Sequence, residues 1–232
     1  MNIRKLFFCF VSVVLFTSFC LGGSLEPTSP PNSGGTMKTL DEVEPRIPIT
    51  SWPFDINQPG SYYLANNLLI EAFINGITIN ANDVTIDLMG HKIELGQHFL
   101  SGDYYGIKIN GKKNIKIHNG TIRGFTTYGI HDEGSETEGV EISSMRIIGN
   151  ESGGIYLEGS NYKIKDCFIA DNNSHGIYCR HLENLFIENC TVTKNNGTGI
   201  NGGGSTNSVI ENCIVADNDG SGITLRDNSK FK

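Results

Sequence analysis

A Gly-Ile dipeptide returns along this chain at Gly76-Ile77, Gly106-Ile107, Gly129-Ile130, Gly154-Ile155, Gly176-Ile177, Gly199-Ile200 and Gly222-Ile223, at intervals of 30, 23, 25, 22, 23 and 23 residues. Each unit keeps one order: a short strand opening on Gly-Ile, a variable turn, a second strand such as LFIE (185–188), one Asn-like residue, a third strand such as CTVT (190–193), and a turn rich in Asn, Asp and Gly. Three strands of period two in about 23 residues make one triangular coil, and neither a sandwich nor a propeller has so short a repeat. The 28 glycines, with abundant Asn and Ile, weaken long helices and favour short strands joined by tight turns. The expectation is an all-β solenoid of roughly six to seven coils over residues 76–232.

Strand alternation assigns the sides. Ile177 and Cys179 point inward while Tyr178 and Arg180 point outward. The inward set of one coil, Leu185, Ile187, Cys190 and Val192, is matched by Tyr162, Ile164, Cys167 and Ile169 before it and by Ser208, Ile210, Cys213 and Val215 after it. The single residue between the second and third strands must turn sharply, which calls for a left-handed backbone that Asn tolerates well. Asn119, Asp166, Asn189 and Asn212 fill that place, Ser144 interrupts it, and Met89-Gly90 makes the first bend. Cys167, Cys190 and Cys213, 23 residues apart, then form a core column. We read them as free buried thiols packed as small hydrophobes. A Cys167–Cys190 or Cys190–Cys213 bridge is the alternative, and a metal site is the weakest reading because the column offers no fourth ligand.

The Gly-Ile coils, the Asn column and the opening GITINANDVTIDLMGHKI (76–93) resemble the right-handed parallel β-helix repeat proteins of the pectin-lyase-like superfamily. The lead-in, MKTLDEVEPRIPIT followed by PFDINQPGSYYLANNL, is similar to the start of exported bacterial members of that group. Met89 departs from the family's common Asn. The resemblance implies a right-handed parallel β-helix with an N-terminal cap. It does not imply one activity, since this fold hosts lyases, hydrolases, epimerases, adhesins and tailspikes.

The chain begins with Arg4 and Lys5 ahead of an apolar run from Leu6 to Phe19 and then small residues, the pattern of a secretory signal over residues 1–23. A lipid anchor at Cys20 is a minor alternative, because Phe19 is bulky where a small residue is expected. Residues 24–36 are rich in Pro, Ser and Gly and read as a flexible linker. Residues 37–75 read as cap and first strand, with a short helix at 40–44. Removing Arg4 and Lys5 with the signal takes the net charge from -7 to -9, which argues against nucleic-acid binding. No membrane span is expected in the mature chain, and the place of action is secreted or cell surface. No C-terminal cap is visible at SGITLRDNSKFK, so the expectation is either a fragment of a longer protein or an end covered by a further chain or by self-association.

The resemblance places any cleft on the outside of the Gly-Ile face. Its outward positions form two columns: Thr78, Lys108, His131, Tyr156, Tyr178, Asn201 and Thr224, then Asn80, Asn110, Glu133, Glu158, Arg180, Gly203 and Arg226. Convergent groups occur only in the middle. His131 or Tyr178 are candidate proton acceptors and Arg180 a candidate partner for a uronate carboxylate, forming the catalytic set. Lys108, Glu133, Tyr156, Glu158, Asn201 and Arg226 are candidate substrate-binding residues. No cofactor is required, and Glu133 with Glu158 is the place that would take Ca²⁺. The same residues also read as an ordinary solvated sheet face with tyrosines paired for stability. Asp132 falls on an inward position, where a lone carboxylate is costly. Either the strand bulges at HDEGSE, which the longer unit favours, or the acid is hydrogen-bonded and perturbed. His175 and His181 read as turn residues, and His91, His98 and His118 as scattered. Three functions compete: polysaccharide binding, a lyase or epimerase acting on uronate polymers, and a structural or adhesive repeat without catalysis.

Overall fold

The computed structural model describes residues 45–96, 102–225 and the backbone of 230–231. The signal, linker, cap helix, His98 and Arg226 lie outside them. Every described element is a strand, and no described helix is long and apolar enough to cross a membrane. The strands pair in parallel, each with its counterpart one coil away.

Three faces result. The first holds Phe54–Ile56, Ile77–Ile79, Ile107–Ile109, Tyr128–Asp132, the starts of Gly153–Lys165 and Ile177–Glu188, Ile200–Gly202 and Ile223–Leu225. The second includes Gly60–Leu64, Val84–Asp87 and the first half of Lys113–Arg123, and the third includes Leu68–Ile70, Lys92–Leu95 and Phe168–Ala170. A coil with all three faces, 54–70, therefore precedes the first Gly-Ile.

The corners explain the turn residues. Met89, Asn119, Ser144, Asp166, Asn189 and Asn212 all have φ between 52° and 64°, so Ser144 and Met89 take the left-handed conformation as the asparagines do. Each remaining corner has its own left-handed column, Asn161, Asn184 and Asn207 at one and Asp171, Lys194 and Asp217 at the other. Asn tolerates this region because its short amide can bond locally.

Inside, Ile77, Ile79, Ile86, Ile93, Ile107, Ile117 and their counterparts are fully buried. Each such side chain stabilises the fold by about 1.5–3 kcal/mol relative to exposure. Cys167, Cys179, Cys190 and Cys213 are free thiols. In the spaced column each sulfur lies 3.2 Å from a carbonyl of its own turn, that of Lys165, Glu188 or Glu211.

The Asn-rich turns also supply a second, internal asparagine column. Asn150, Asn172 and Asn195 are buried and run into Asn218. In each step an Oδ1 accepts both the backbone N–H and the side-chain amide of the coil before it, at 3.0 and 2.9 Å between Asn150 and Asn172, 3.2 and 2.9 Å between Asn172 and Asn195, and 3.0 and 2.9 Å between Asn195 and Asn218. At its foot Phe125 N–H donates to Asn150 at 3.1 Å. This ladder accounts for the glycine at Gly129, Gly154, Gly176 and Gly199, where a Cβ would crowd a ladder amide: on Gly176 it would stand 2.9 Å from the Asn195 amide, 2.6 Å from the Gly199 carbonyl and 2.5 Å from Val192.

Candidate functional site

The register sets the outward residues of the Gly-Ile face in line. Thr78 pairs with Lys108, Lys108 with His131, His131 with Tyr156, Tyr156 with Tyr178, Tyr178 with Asn201 and Asn201 with Thr224. In the second column Glu158 pairs with Arg180, and Asn110 donates to Asn80 at 2.7 Å and Asn80 to Asn57 at 3.0 Å.

A row that sequence reasoning missed joins them, made of the residues just before each Gly-Ile: Tyr105, Tyr128 and His175. Tyr105 and Tyr156 sandwich His131, with ring centroids 4.1 and 4.8 Å away and planes within 24° and 21°. These spacings are close to the rise of one coil, about 4.8 Å. Tyr128 leans in at 5.7 Å from His131 and 5.3 Å from Tyr156. It can do so because the next position in its row is Gly153, where a Cβ would meet its ring at 2.7 Å. Tyr178 follows at 5.4 Å from Tyr156, with His175 stacked on it at 5.2 Å. The Lys108 ammonium sits 5.5 Å above Tyr105 at the other end. The aromatic periodicity one residue ahead of Gly was the available signal.

Stacking along the coil axis turns ring edges, not faces, outward. His131 is 6% exposed and Tyr156 9%, so the rings open to a ligand are the half-buried Tyr105, Tyr128, Tyr178 and His175. Burial, reinforced by the Lys108 charge, pushes His131 down to about 4, and its Nδ1 is buried without a hydrogen-bond partner. His131 is therefore an uncharged, weakly basic ring at neutral pH. Burial and the neighbouring phenols push Tyr128 up to about 12. Burial also raises Tyr105 and Tyr156, so these three phenols stay protonated. The Tyr156 phenol, together with Glu158, raises the Arg180 pKa.

His175 is more than a solvated turn residue: its Nδ1 accepts the Thr198 N–H at 3.0 Å, and burial lowers its pKa. His181 is the extra residue of a bulge, since Glu158 pairs with Arg180 but Gly159 with Leu182. Its Nδ1 stands 3.7 Å from Glu158. Asn201 accepts the Gly203 N–H at 3.2 Å. Beside the aromatic band a groove of about 590 Å³ opens between the 110–112 turn and the 133–136 loop, lined by Lys108, Asn110, Lys112, Glu133, Ser135 and Glu136. Among the described residues no group of three or more His, Cys, Asp or Glu is arranged to hold a metal ion.

The bulge expected at HDEGSE is absent. Asp132 stays in register opposite Ile109 and enters the core fully buried, hydrogen-bonded to Gly134, Thr137 and Tyr162. Gly134 and Thr137 from the same loop and Tyr162 from the next coil supply the partners, so the strand need not distort before the chain loops out.

Parallel coils, three left-handed corners and an internal Asn ladder define a right-handed parallel β-helix of about seven turns. Residues 105–232 match the model of the right handed beta helix region family, more than half of the chain, and the chain belongs to that family. Two solved structures are similar. The crystal structure of pectate lyase Pel9A is 12% identical with a TM-score of 0.49, the match covering 72% of this chain and 52% of that one. The crystal structure of Dettilon tailspike protein (gp208) is 11% identical with a TM-score of 0.38, covering 74% of this chain and 46% of that one. The chain thus spans about half the length of either. No curated protein matches the sequence.

Proposed function

We propose that this chain is an exported protein that binds an extended polysaccharide along its Gly-Ile face without turning it over. The observation that carries the reading is the continuous aromatic band from Tyr105 to Tyr178, bordered by a polar groove. Outward ring edges carrying phenolic hydroxyls suit hydrogen bonds with sugar hydroxyls, and Lys108, Lys112 and Arg180 offset the overall acidity where a sugar carboxylate would lie. Tyr178, with Arg180 beside it, and Asn201 continue the path. Turnover is disfavoured because His131 is buried and weakly basic, a poor proton acceptor at neutral pH. The basic-then-apolar start of the chain supports export to the cell surface or beyond.

The test is titration of pectate, alginate, glycosaminoglycan and neutral glucan polymers by affinity electrophoresis, with absorbance read for unsaturated product. Binding of at least one polymer, weakened about tenfold or more by Tyr178→Ala or Arg180→Ala, each costing about 1.4 kcal/mol, is expected. Release of unsaturated product would replace binding by lyase action. Absence of binding to every polymer, or binding indifferent to both substitutions, would leave a structural repeat.

A further inference from the structure

The groove loop, residues 133–136, has a carboxyl group buried directly behind it. Asp132 Oδ1 accepts the Gly134 N–H at 3.2 Å and the Thr137 hydroxyl at 2.9 Å. Its Oδ2 meets the Tyr162 hydroxyl, which also lies 2.8 Å from the Glu158 carbonyl. Asp132 is 0% exposed and Thr137 1%. The loop fits between glycines: a Cβ on Gly134 would stand 2.2 Å from Gly111 Cα, and one on Gly159 would stand 2.4 Å from the Thr137 carbonyl. Contact with Gly111 keeps the groove wall close to the Lys108–Lys112 turn, and Asp132 provides the hydrogen bonds that hold it there.

Proton counting separates two states of this cluster. With Asp132 protonated, its O–H donates to the Tyr162 oxygen, Tyr162 donates to the Glu158 carbonyl, and Oδ1 keeps its two donors. Every polar atom is paired and no charge is buried. With Asp132 ionised, the one Tyr162 proton turns to the carboxylate, the Glu158 carbonyl loses that donor, and a full negative charge stands in an apolar core. Water relieves that charge only if the loop lifts.

We propose that Asp132 is a latch for the groove: protonated, it holds residues 133–136 closed against the 110–112 turn, and ionised, it releases them. Other groups around it do not supply a compensating cation. Tyr162 and Glu158 face it from the next coil, and Glu158 opposes its ionisation. From the coil before, Ile109 is apolar, while Lys108 lies in the outward column with His131. On its own loop Glu133 and Glu136 are exposed acids, and Cys179 faces the same core, fully buried as a thiol whose pKa burial raises to about 12. Burial pushes Asp132 up to about 6 against the three hydrogen bonds that favour its charge. The closed loop thus favours the proton, and opening is promoted as pH rises through that value.

The latch does not rest on the polysaccharide reading, and its test uses no ligand. In the full chain, hydrogen exchange of the peptide covering 133–137 is followed by mass spectrometry from pH 5 to pH 8, corrected for intrinsic exchange. A shift of about two units implies an opening equilibrium about tenfold larger at pH 8 than at pH 5, the rest of the roughly hundredfold change falling below pH 5. Wild type is expected to lose protection with a midpoint near pH 6, and Asp132→Asn to stay protected throughout while a peptide over 191–193 stays flat in both. Should Asp132→Asn fail to fold, Tyr162→Phe is expected to move the midpoint upward, since it removes a donor to the carboxylate. Protection independent of pH in the wild type, or the same slope in Asp132→Asn, or an unmoved midpoint in Tyr162→Phe, overturns the latch.

Discussion

Replacing Asn172 by Leu tests whether the internal amide ladder holds the coils together or merely lines them. Asn172 is 0% exposed. Its Oδ1 takes the Asn150 backbone N–H at 3.0 Å and the Asn150 amide at 2.9 Å, and its own amide donates to Asn195 at 2.9 Å. Leucine is close in size, so the cavity term is small, but two buried N–H groups on Asn150 lose their acceptor. Each orphaned donor costs about 1–3 kcal/mol, against which the added apolar side chain regains about 1 kcal/mol. The net expectation is a loss of about 3 kcal/mol, a large fraction of the roughly 5–15 kcal/mol that holds a domain of this size. The Asn195 Oδ1 keeps the Asn172 backbone N–H at 3.2 Å, so the damage falls on the coil before the substitution. Urea unfolding followed by circular dichroism measures it. The control is Asn196→Ala, one residue further along the next coil, whose exposed amide bonds Asn173 at 2.6 Å and whose loss should stay within about 0.5 kcal/mol. A cost for Asn172→Leu below about 1 kcal/mol, or one no larger than the control, refutes the claim that the ladder satisfies groups water cannot reach.

Two further outcomes follow from the same geometry. Gly176→Ala should destabilise by about 2–3 kcal/mol in urea titration, as an overpacked backbone contact does; Gly149→Ala, at φ 63° with nothing within 4 Å of a Cβ, should cost only about 1 kcal/mol from conformation, and equal effects would contradict the steric account. Thiol titration without reductant, on the chain lacking residues 1–23, should count Cys167, Cys179, Cys190 and Cys213 in denaturant, with only the half-buried Cys213 reacting readily in the native protein; a deficit in denaturant would mean a bridge.

The repeat was legible because its causes are local. Left-handed corners between the strands select chiefly Asn and Asp, and a backbone pressed against the next coil selects Gly before Ile. The outward column from Lys108 to Asn201 could also be read, since alternation in a strand fixes the side of each residue. Less legible were Tyr105, Tyr128 and His175, which precede the glycine and reach the band only because the chain bends there. Stacking of rings between coils depends on the rise of the solenoid and not on any one segment.

Sequence by itself therefore determined the architecture, the sides of the strands and the residues available on the Gly-Ile face, because backbone sterics and alternation act over a few residues. Tertiary structure alone decided that His131 is enclosed between Tyr105 and Tyr156, that Asn150, Asn172, Asn195 and Asn218 form one ladder, and that Asp132 meets the Tyr162 hydroxyl. Those outcomes are set by what lies one coil above or below, where burial and cross-coil hydrogen bonds fix which proton a group keeps.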